Sequence, residues 1–94
     1  MKVRWTMPAA NQLKSIFEHI AADNPAAAAR TVKRIRQAIY QTARMPQAGR
    51  IGRVEGTREI VVPRTPFLVV YRIVESAIHV LAIFHGAQQW PESF

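Results

Sequence analysis

The chain has 94 residues, of which 49% are hydrophobic, so we expect residues 1–94 to form one small domain with its own core. It has no stretch of roughly 18 apolar residues, no apolar secretory signal and no cysteine, which excludes a membrane span and disulfides and favours the cytoplasm. The three histidines and six acidic residues show no zinc-ligand spacing, and we predict no metal, no cofactor and no membrane partner. Thirteen lysines and arginines give a formal charge of +7, which indicates an anionic partner, either a nucleic acid or an acidic protein.

The first part of the chain predicts a short strand followed by a helix. Polar and apolar residues alternate over Lys2–Trp5, as in a strand with one buried face. Thr6 is a suitable N-cap, and a proline follows where the first turn of a helix tolerates a missing N–H group. The helix is expected from about Pro8 to Ala22, because an apolar stripe at helical spacing is formed by Leu13, Ile16, Phe17 and Ile20.

A second helix follows after a connection that is too short for anything except an antiparallel helical hairpin. Asn24 is able to cap this helix with Pro25 at its first position, and Met45-Pro46 ends it. Many cations lie on its polar side. Two interpretations of this basic face stay open, because such a face is either solvated or bound to a partner.

The segment from residue 46 to residue 56 contains three glycines and two arginines, and it is predicted to be a loop. It is not a phosphate-binding loop, because the Lys and Ser/Thr of that motif are missing and no strand precedes it. Two interpretations remain. The loop is either a flexible connection between the hairpin and the sheet, or a basic loop that directs Arg50 and Arg53 at a polyanion.

Three apolar runs with short connections predict an antiparallel meander over Glu59–Pro63, Phe67–Val74 and Ile78–Phe84. The middle run has almost no polar alternation, so we expect it to be the central strand, covered on both faces. Together the elements predict an α+β fold of order β-α-α-β-β-β, with the helical hairpin packed on a small antiparallel sheet. In the C-terminal tail, Trp90 either packs back on this sheet or forms an exposed contact point.

The sequence contains no hydrolase motif, but arginines and histidines on a sheet are suited to a metal-free ribonuclease. Such an enzyme needs a base for the 2′-hydroxyl, a cation for the phosphorane charge and an acid for the leaving oxygen. The candidates for these roles are His85, Arg58 and Arg72, which are catalytic only if the protein is a nuclease. A lone histidine in an apolar strand is more often structural, and this is our interpretation of His79.

A series of motifs follows in order along nearly the whole chain: VRW near the start, DNPAAAAR between the helices, GRVEGTREIVV, TPFLVVYRI and finally LAIFHGAQQWP. In these motifs the chain resembles the RelE/ParE superfamily of toxins from bacterial type II toxin–antitoxin systems. The terminal HGAxxWP and the central GTRE are the most specific parts. The resemblance implies two helices packed on a small antiparallel sheet. It also implies a toxin that is held inactive by a cognate antitoxin, whose usually acidic C-terminal segment folds as it binds.

The superfamily divides into RelE-like members, which cut mRNA on the ribosome without a metal, and ParE-like members, which inhibit DNA gyrase. RelE-like sequences commonly carry an arginine just before the L-V-Y of the third strand. Pro66 and Phe67 stand there in this chain, and no tyrosine lies near His85. The resemblance therefore favours gyrase inhibition by binding, although whether the protein is an enzyme stays open. The alternatives are a ribosome-dependent mRNA endonuclease, or a degenerate toxin kept for antitoxin binding and operon repression.

The resemblance also assigns two sets of surface residues. The antitoxin is expected to bind the basic face of the second helix, through Arg30, Lys33, Arg34 and Arg44. The target is expected to be gyrase, or alternatively the ribosome with mRNA. The residues expected to bind it are Arg50, Arg53, Arg58, Arg64, Arg72, His85 and Trp90.

Overall fold

A computed structural model describes all residues from 1 to 94. Its elements are β1 (Lys2–Trp5), α1 (Met7–Ala21), α2 (Pro25–Arg44), a 3-10 turn (Pro46–Ala48), β2 (Arg50–Ile51), β3 (Arg58–Val61), β4 (Phe67–Val74) and β5 (Ala77–His85). The predicted order of strands and helices is confirmed, and the helices begin and end close to their predicted positions. The two-residue strand β2 is an addition, within the segment predicted to be a loop. Neither helix is long and apolar enough to cross a membrane.

Side-chain caps start both helices, as the sequence predicts. The Thr6 hydroxyl accepts a hydrogen bond from the Ala9 N–H group at 3.3 Å, and the Asn24 side chain accepts one from the Ala27 N–H group at 3.0 Å. A proline lies in the first turn of each helix, where its missing N–H group leaves no helical hydrogen bond unmade. Each cap contributes about 1 kcal/mol, so the local sequence largely fixes where the hairpin turns.

The strands form one five-stranded sheet in the order β1-β5-β4-β3-β2. The last three strands form the predicted antiparallel meander, and β4 is central. By contrast, β1 runs parallel to β5, with Trp5 opposite Val80. The sequence did not predict this direction, because the helical hairpin separates β1 from the rest of the sheet and no local turn sets it. The strand β2 pairs antiparallel with β3, and two residues are too few to show strand alternation.

The helices cover one face of the sheet, and we call the other face the open face. Alternate residues of β4 divide between them, with Val69 and Tyr71 under the helices and Val70 on the open face. On the open face Trp90 packs against Phe84, so the tail covers part of it and β4 is buried on both sides as predicted. The helix-side core also includes Leu13, Ile35, Ile39, Ile78 and Val80.

A bulge in β5 sets which way the end of that strand faces. The register between β4 and β5 shifts at Val70 and Tyr71, which leaves Leu81 without a direct partner. The Gln12 side chain of α1 accepts a hydrogen bond from the Ile83 N–H group at 2.8 Å, just after the bulge. Because Ile83 faces the helices, the alternation places His85 on the same side.

Candidate functional site

A buried carboxylate in β3 binds two of the arginines that were predicted to contact a target. Glu59 is only 2% exposed. It accepts hydrogen bonds from the Arg50 side chain at 3.0 Å, the Arg53 backbone N–H group at 2.8 Å and the Arg53 Nε atom at 3.3 Å. Burial raises the pKa of Glu59, but these hydrogen bonds and the Arg53 charge outweigh burial and hold the pKa below its ordinary value. The segment predicted as a loop is therefore fastened to the sheet through this side chain.

Arg53 also holds the C-terminal tail against the open face. Its guanidinium carbon lies 3.7 Å from the centre of the Trp90 ring, which is a cation–π contact. The Trp90 ring lies 4.7 Å from the Phe84 ring, and its Nε1 atom is buried without a hydrogen-bond partner. Of the two interpretations of Trp90, packing on the sheet is the one found in the structure.

Arg58 and Tyr71 hold the 3-10 turn against the helix side of the sheet. Arg58 donates to the carbonyl groups of Gly49 at 2.7 Å and Gln47 at 3.2 Å. The Tyr71 hydroxyl donates to the Pro46 carbonyl at 2.7 Å, and burial raises the pKa of Tyr71, which keeps this donor protonated. Residue 49 has to be glycine here, because a Cβ atom would overlap the Tyr71 ring. Arg58 thus has two acceptors within the protein.

The candidate catalytic arginines lie on different faces of the sheet. Arg58 pairs in register with Tyr71, whose side chain is in the core under the helices. Arg72 is the next residue of β4 and therefore points to the open face, where its Nε atom lies 3.4 Å from the Gly56 carbonyl. The two guanidinium groups are thus directed to opposite sides of the sheet.

His85 is distant from Arg72. On β5 the residue opposite Arg72 is His79, and the residue opposite Phe67 is His85, six positions further along the strand. Because β5 contains the bulge, the separation is counted on β4, where Phe67 and Arg72 are five positions or about 17 Å apart. The His85 ring packs edge-on against Phe67 at 5.8 Å, and its Nδ1 atom accepts a hydrogen bond from the Ala87 N–H group at 3.2 Å. One phosphate group therefore does not reach all three candidates.

The open face carries a row of basic side chains that the sequence pattern does not reveal. Arg4, His79 and Arg72 lie in register on the adjacent strands β1, β5 and β4. None of these side chains forms an ion pair with an acidic residue. Polar alternation in β1 marks Arg4 as surface-facing, but only the parallel pairing with β5 places it beside His79.

The four cations predicted on α2 do not share one surface. Arg30, Lys33 and Arg44 are exposed on the outer side of the helix. Arg34 is half-buried on a flank of the helix, where it lines a small cleft together with Arg64 from the turn between β3 and β4. None of these cations forms an ion pair.

A larger groove of about 420 Å³ lies between the two helices and β1. Its apolar lining includes Phe17, which is 40% exposed, and two cations, Lys14 and Arg36, line it as well. Arg36 was not among the predicted partner-binding residues. Its position four residues after Val32, which lines the same groove, was the available signal that it borders the apolar stripe.

Comparison with known proteins gives consistent matches. The model of the family described as "ParE toxin of type II toxin-antitoxin system, parDE" matches residues 3–90. A protein of Sinorhizobium fredii named toxin Y4kP is 41% identical over 91 residues, which are 97% of this chain and 94% of that protein. Toxin RelE2 of Caulobacter vibrioides is 30% identical over 87 residues, covering 93% and 97% of the two chains.

Two solved structures are similar over most of their length. A chain from the chromosomal ParDE toxin–antitoxin system of P. aeruginosa has a TM-score of 0.83 and 28% identity, with 90% of this chain and 95% of that chain covered. A chain from the toxin–antitoxin complex RelBE2 of Mycobacterium tuberculosis has a TM-score of 0.61 and 25% identity, with 93% and 92% covered.

Proposed function

The chain belongs to the ParE toxin family of type II toxin–antitoxin systems, and from this premise we propose that it acts by binding DNA gyrase. The resemblance to the RelE/ParE superfamily is confirmed, and an antitoxin is the partner of the toxin. The choice of gyrase rests on the ParE branch, whose members inhibit this enzyme, and on the arrangement of the basic side chains.

The separation of Arg58, Arg72 and His85 is the observation that carries the proposal. Metal-free RNA cleavage requires a base, an acid and a cation within hydrogen-bond reach of one phosphodiester, at about 3 Å. Here the two arginines point to opposite faces of the sheet, and His85 lies about 17 Å along the sheet from the residue that pairs with Arg72. The arrangement supports inhibition by contact over a surface rather than acid–base chemistry at one point.

The experiment adds purified toxin to gyrase with relaxed plasmid, and in parallel to a translation extract in which primer extension detects mRNA cleavage. We expect loss of supercoiling with intact mRNA. Cleaved mRNA with unaffected supercoiling would overturn the proposal. His85→Ala is the matched variant. The sequence predicted that His85 binds the target, but its ring packs on Phe67 and its Nδ1 atom accepts from the Ala87 N–H group, so we expect the variant to retain gyrase inhibition.

mRNA cleavage is the second candidate, and the relative named toxin RelE2 is the observation that favours it. If this candidate is correct, His85→Ala abolishes the cleavage seen by primer extension. A protein that affects neither gyrase nor mRNA but still binds the antitoxin would fit the degenerate toxin.

The antitoxin is proposed to occupy the groove between the helices and β1, together with the outer side of α2. The groove offers apolar side chains to an amphipathic helix, and Lys14 and Arg36 lie beside them. Arg30, Lys33 and Arg44 are unpaired on the adjacent surface, where acidic residues of the same segment would neutralise them. Phe17→Ala should weaken the complex in a calorimetric titration with purified antitoxin, and unchanged affinity would place the antitoxin elsewhere.

A further inference from the structure

A narrow cleft on the other flank of α2 brings together two arginines that have no acidic partner. Arg34 of α2 and Arg64 of the turn between β3 and β4 line this cleft, which has a volume of about 80 Å³. Gln37 and Gln41 of α2 add their amide groups to the same lining. The three salt bridges of the protein involve neither arginine. The cleft therefore presents hydrogen-bond donors and positive charge, and no carboxylate of the protein pairs with these arginines.

The turn holds Arg64 in an unusual backbone conformation. Arg64 has a φ angle of 62°, in the left-handed region that residues with a Cβ atom seldom adopt. The Thr65 hydroxyl fixes this turn, since it donates to the Val62 carbonyl at 2.9 Å and accepts from the Phe67 N–H group at 3.1 Å. Strained residues held by their surroundings are concentrated at binding sites. Here the Thr65 hydrogen bonds hold the turn that places Arg64 beside the flank of α2.

An apolar groove of about 240 Å³ adjoins the cleft and shares Ala38, Gln41 and Pro63 with it. Met45 and Ile60 provide apolar side chains in this groove, and Met45 is 67% exposed. We call the cleft and this groove together the α2–β3 groove.

The edge of β3 beside this groove is also unpaired. The strand β2 pairs only with Arg58 and Glu59, so it stops before Val61. The Val62 N–H group donates to Phe67 in β4 at 2.9 Å, and the alternation of antiparallel strands therefore turns the backbone groups of Val61 outward. An extended segment lying in the groove would meet these backbone groups.

We propose that the α2–β3 groove binds a segment of the antitoxin that carries a carboxylate for the cleft and an apolar side chain for Met45 and Ile60. The inference rests on the antitoxin as partner and does not depend on the gyrase target. A side-chain carboxylate on its stem enters a cleft of about 80 Å³ and binds two guanidinium groups. A nucleic acid fits less well. Its phosphodiester has no flexible stem because it lies within the polymer backbone, and a nucleic acid offers no apolar side chain for the apolar part of the groove.

A second copy of the chain is a poorer occupant, because each copy carries a formal charge of +7.

The proposal also joins two residues that the sequence assigned to different partners. Arg34 was predicted to bind the antitoxin and Arg64 the target, but one occupant of the cleft touches both. An antitoxin segment in this cleft therefore also withdraws Arg64 from any target.

The test measures the affinity of purified antitoxin for toxin variants. Arg34→Gln and Arg64→Gln should each weaken binding about ten-fold, because each removes a charge-assisted hydrogen bond to the same carboxylate. The double variant should depart from the product of the single effects by more than about two-fold, since the two arginines share one acceptor. Met45→Gln should weaken binding several-fold by removing the apolar contact.

Matched controls carry the same chemical changes elsewhere. Arg4→Gln removes an unpaired arginine from the open face, and Met7→Gln changes a methionine that is 72% exposed at the start of α1. Both should bind antitoxin within about two-fold of the native protein. Circular dichroism and thermal unfolding establish that each variant folds.

Several results would overturn the inference. Native affinity in Arg34→Gln and Arg64→Gln would remove the α2–β3 groove from the complex while leaving the antitoxin as partner. Equal losses in Arg4→Gln and Arg34→Gln would reduce the effect to net charge. A native dimer in sedimentation that Met45→Gln dissociates would make a second copy the occupant. If native toxin does not bind the antitoxin at all, the proposed partnership fails together with the inference.

Discussion

Two regions of this toxin are rich in arginine, and they differ in what the guanidinium groups contact. Around β3, Arg50 and Arg53 bind the buried carboxylate of Glu59, and Arg58 binds two backbone carbonyl groups. Along α2, Arg30 and Arg34 have no acidic partner, and the same is true of the other cations on this helix. Both regions are rich in arginine, but the charges around β3 are paired within the protein and those along α2 are not.

The difference shows that positive charge alone does not locate a partner. A guanidinium group with internal acceptors contributes to the stability of the fold, and binding a ligand would require it to exchange or share those acceptors. A guanidinium group without acceptors contributes little to stability and is available to an anion. Stability and affinity should therefore respond to opposite sets of substitutions, and this expectation is open to direct measurement.

The largest effect on stability is expected from Glu59→Gln. The substitution removes the negative charge that Arg50 and Arg53 share, and we expect the free energy of unfolding to fall by about 2 kcal/mol. Both arginines remain about half exposed, 57% and 48%, and water solvates them, which limits the loss. Urea unfolding followed by circular dichroism measures this change.

Glu18→Gln is the matched control, because Glu18 forms an exposed ion pair with Lys14 at 3.8 Å. It should change the free energy of unfolding by less than about 0.5 kcal/mol. Equal effects of the two substitutions would mean that the buried carboxylate has no special part in holding the β2 segment.

Acid should remove the contribution of Glu59. Its pKa is lower in the folded protein than in the unfolded chain, where the ordinary value is 4.5, so the unfolded chain binds more protons in this range. The stabilisation is therefore complete above that ordinary value and is lost as the pH falls through the lower, folded pKa. The difference in unfolding free energy between native protein and Glu59→Gln should shrink over the same range. A constant difference from neutral to acidic pH would contradict this explanation.

A smaller effect is expected where Arg53 meets Trp90. Arg53→Gln removes the cation–π contact and the side-chain hydrogen bonds to Glu59 but keeps the backbone bond, so we expect a loss of about 1 kcal/mol. In a Trp5→Phe background Trp90 is the single tryptophan. Its emission should shift to longer wavelength and acrylamide should quench it more strongly. Arg4→Gln in the same background should leave the spectrum as it was, and a similar shift there would disconnect Arg53 from the tail.

Local sequence signals were sufficient for most of the fold. Capping by Thr6 and Asn24, the apolar stripe of α1 and the short turns of the meander all act between neighbours in the chain, and the structure has each of these elements as predicted. The parallel direction of β1 and the two-residue strand β2 depend on contacts between distant segments. No local pattern encodes such contacts.

The same dependence on distant contacts explains why the sequence did not predict which groups the arginines contact. The sequence placed arginines on the surface but did not reveal their acceptors, because Arg50 and Glu59 are brought together only by the pairing of β2 with β3. Successive side chains of any strand point to opposite faces, so the neighbouring positions of Tyr71 and Arg72 in β4 are a local signal that they lie on opposite sides of the sheet. The side on which Arg58 lies depends on the register of β3 against β4, which is a contact between strands. The separation of the two candidate catalytic arginines therefore follows from one local signal and one pairing that the sequence does not specify.

The smallest effect on stability, and a clear effect on binding, is expected on the outer side of α2. Replacing Arg30, Lys33 and Arg44 together by glutamine removes three exposed cations without ion pairs, so the free energy of unfolding should change by less than about 0.5 kcal/mol per residue. The association rate with the antitoxin should fall and depend less on salt, since exposed charges mainly speed the encounter. Stopped-flow mixing at low and high salt measures this. If the triple variant is destabilised as much as Glu59→Gln while its association rate is unchanged, the cations of α2 belong with those of β3, and the division between the two regions fails.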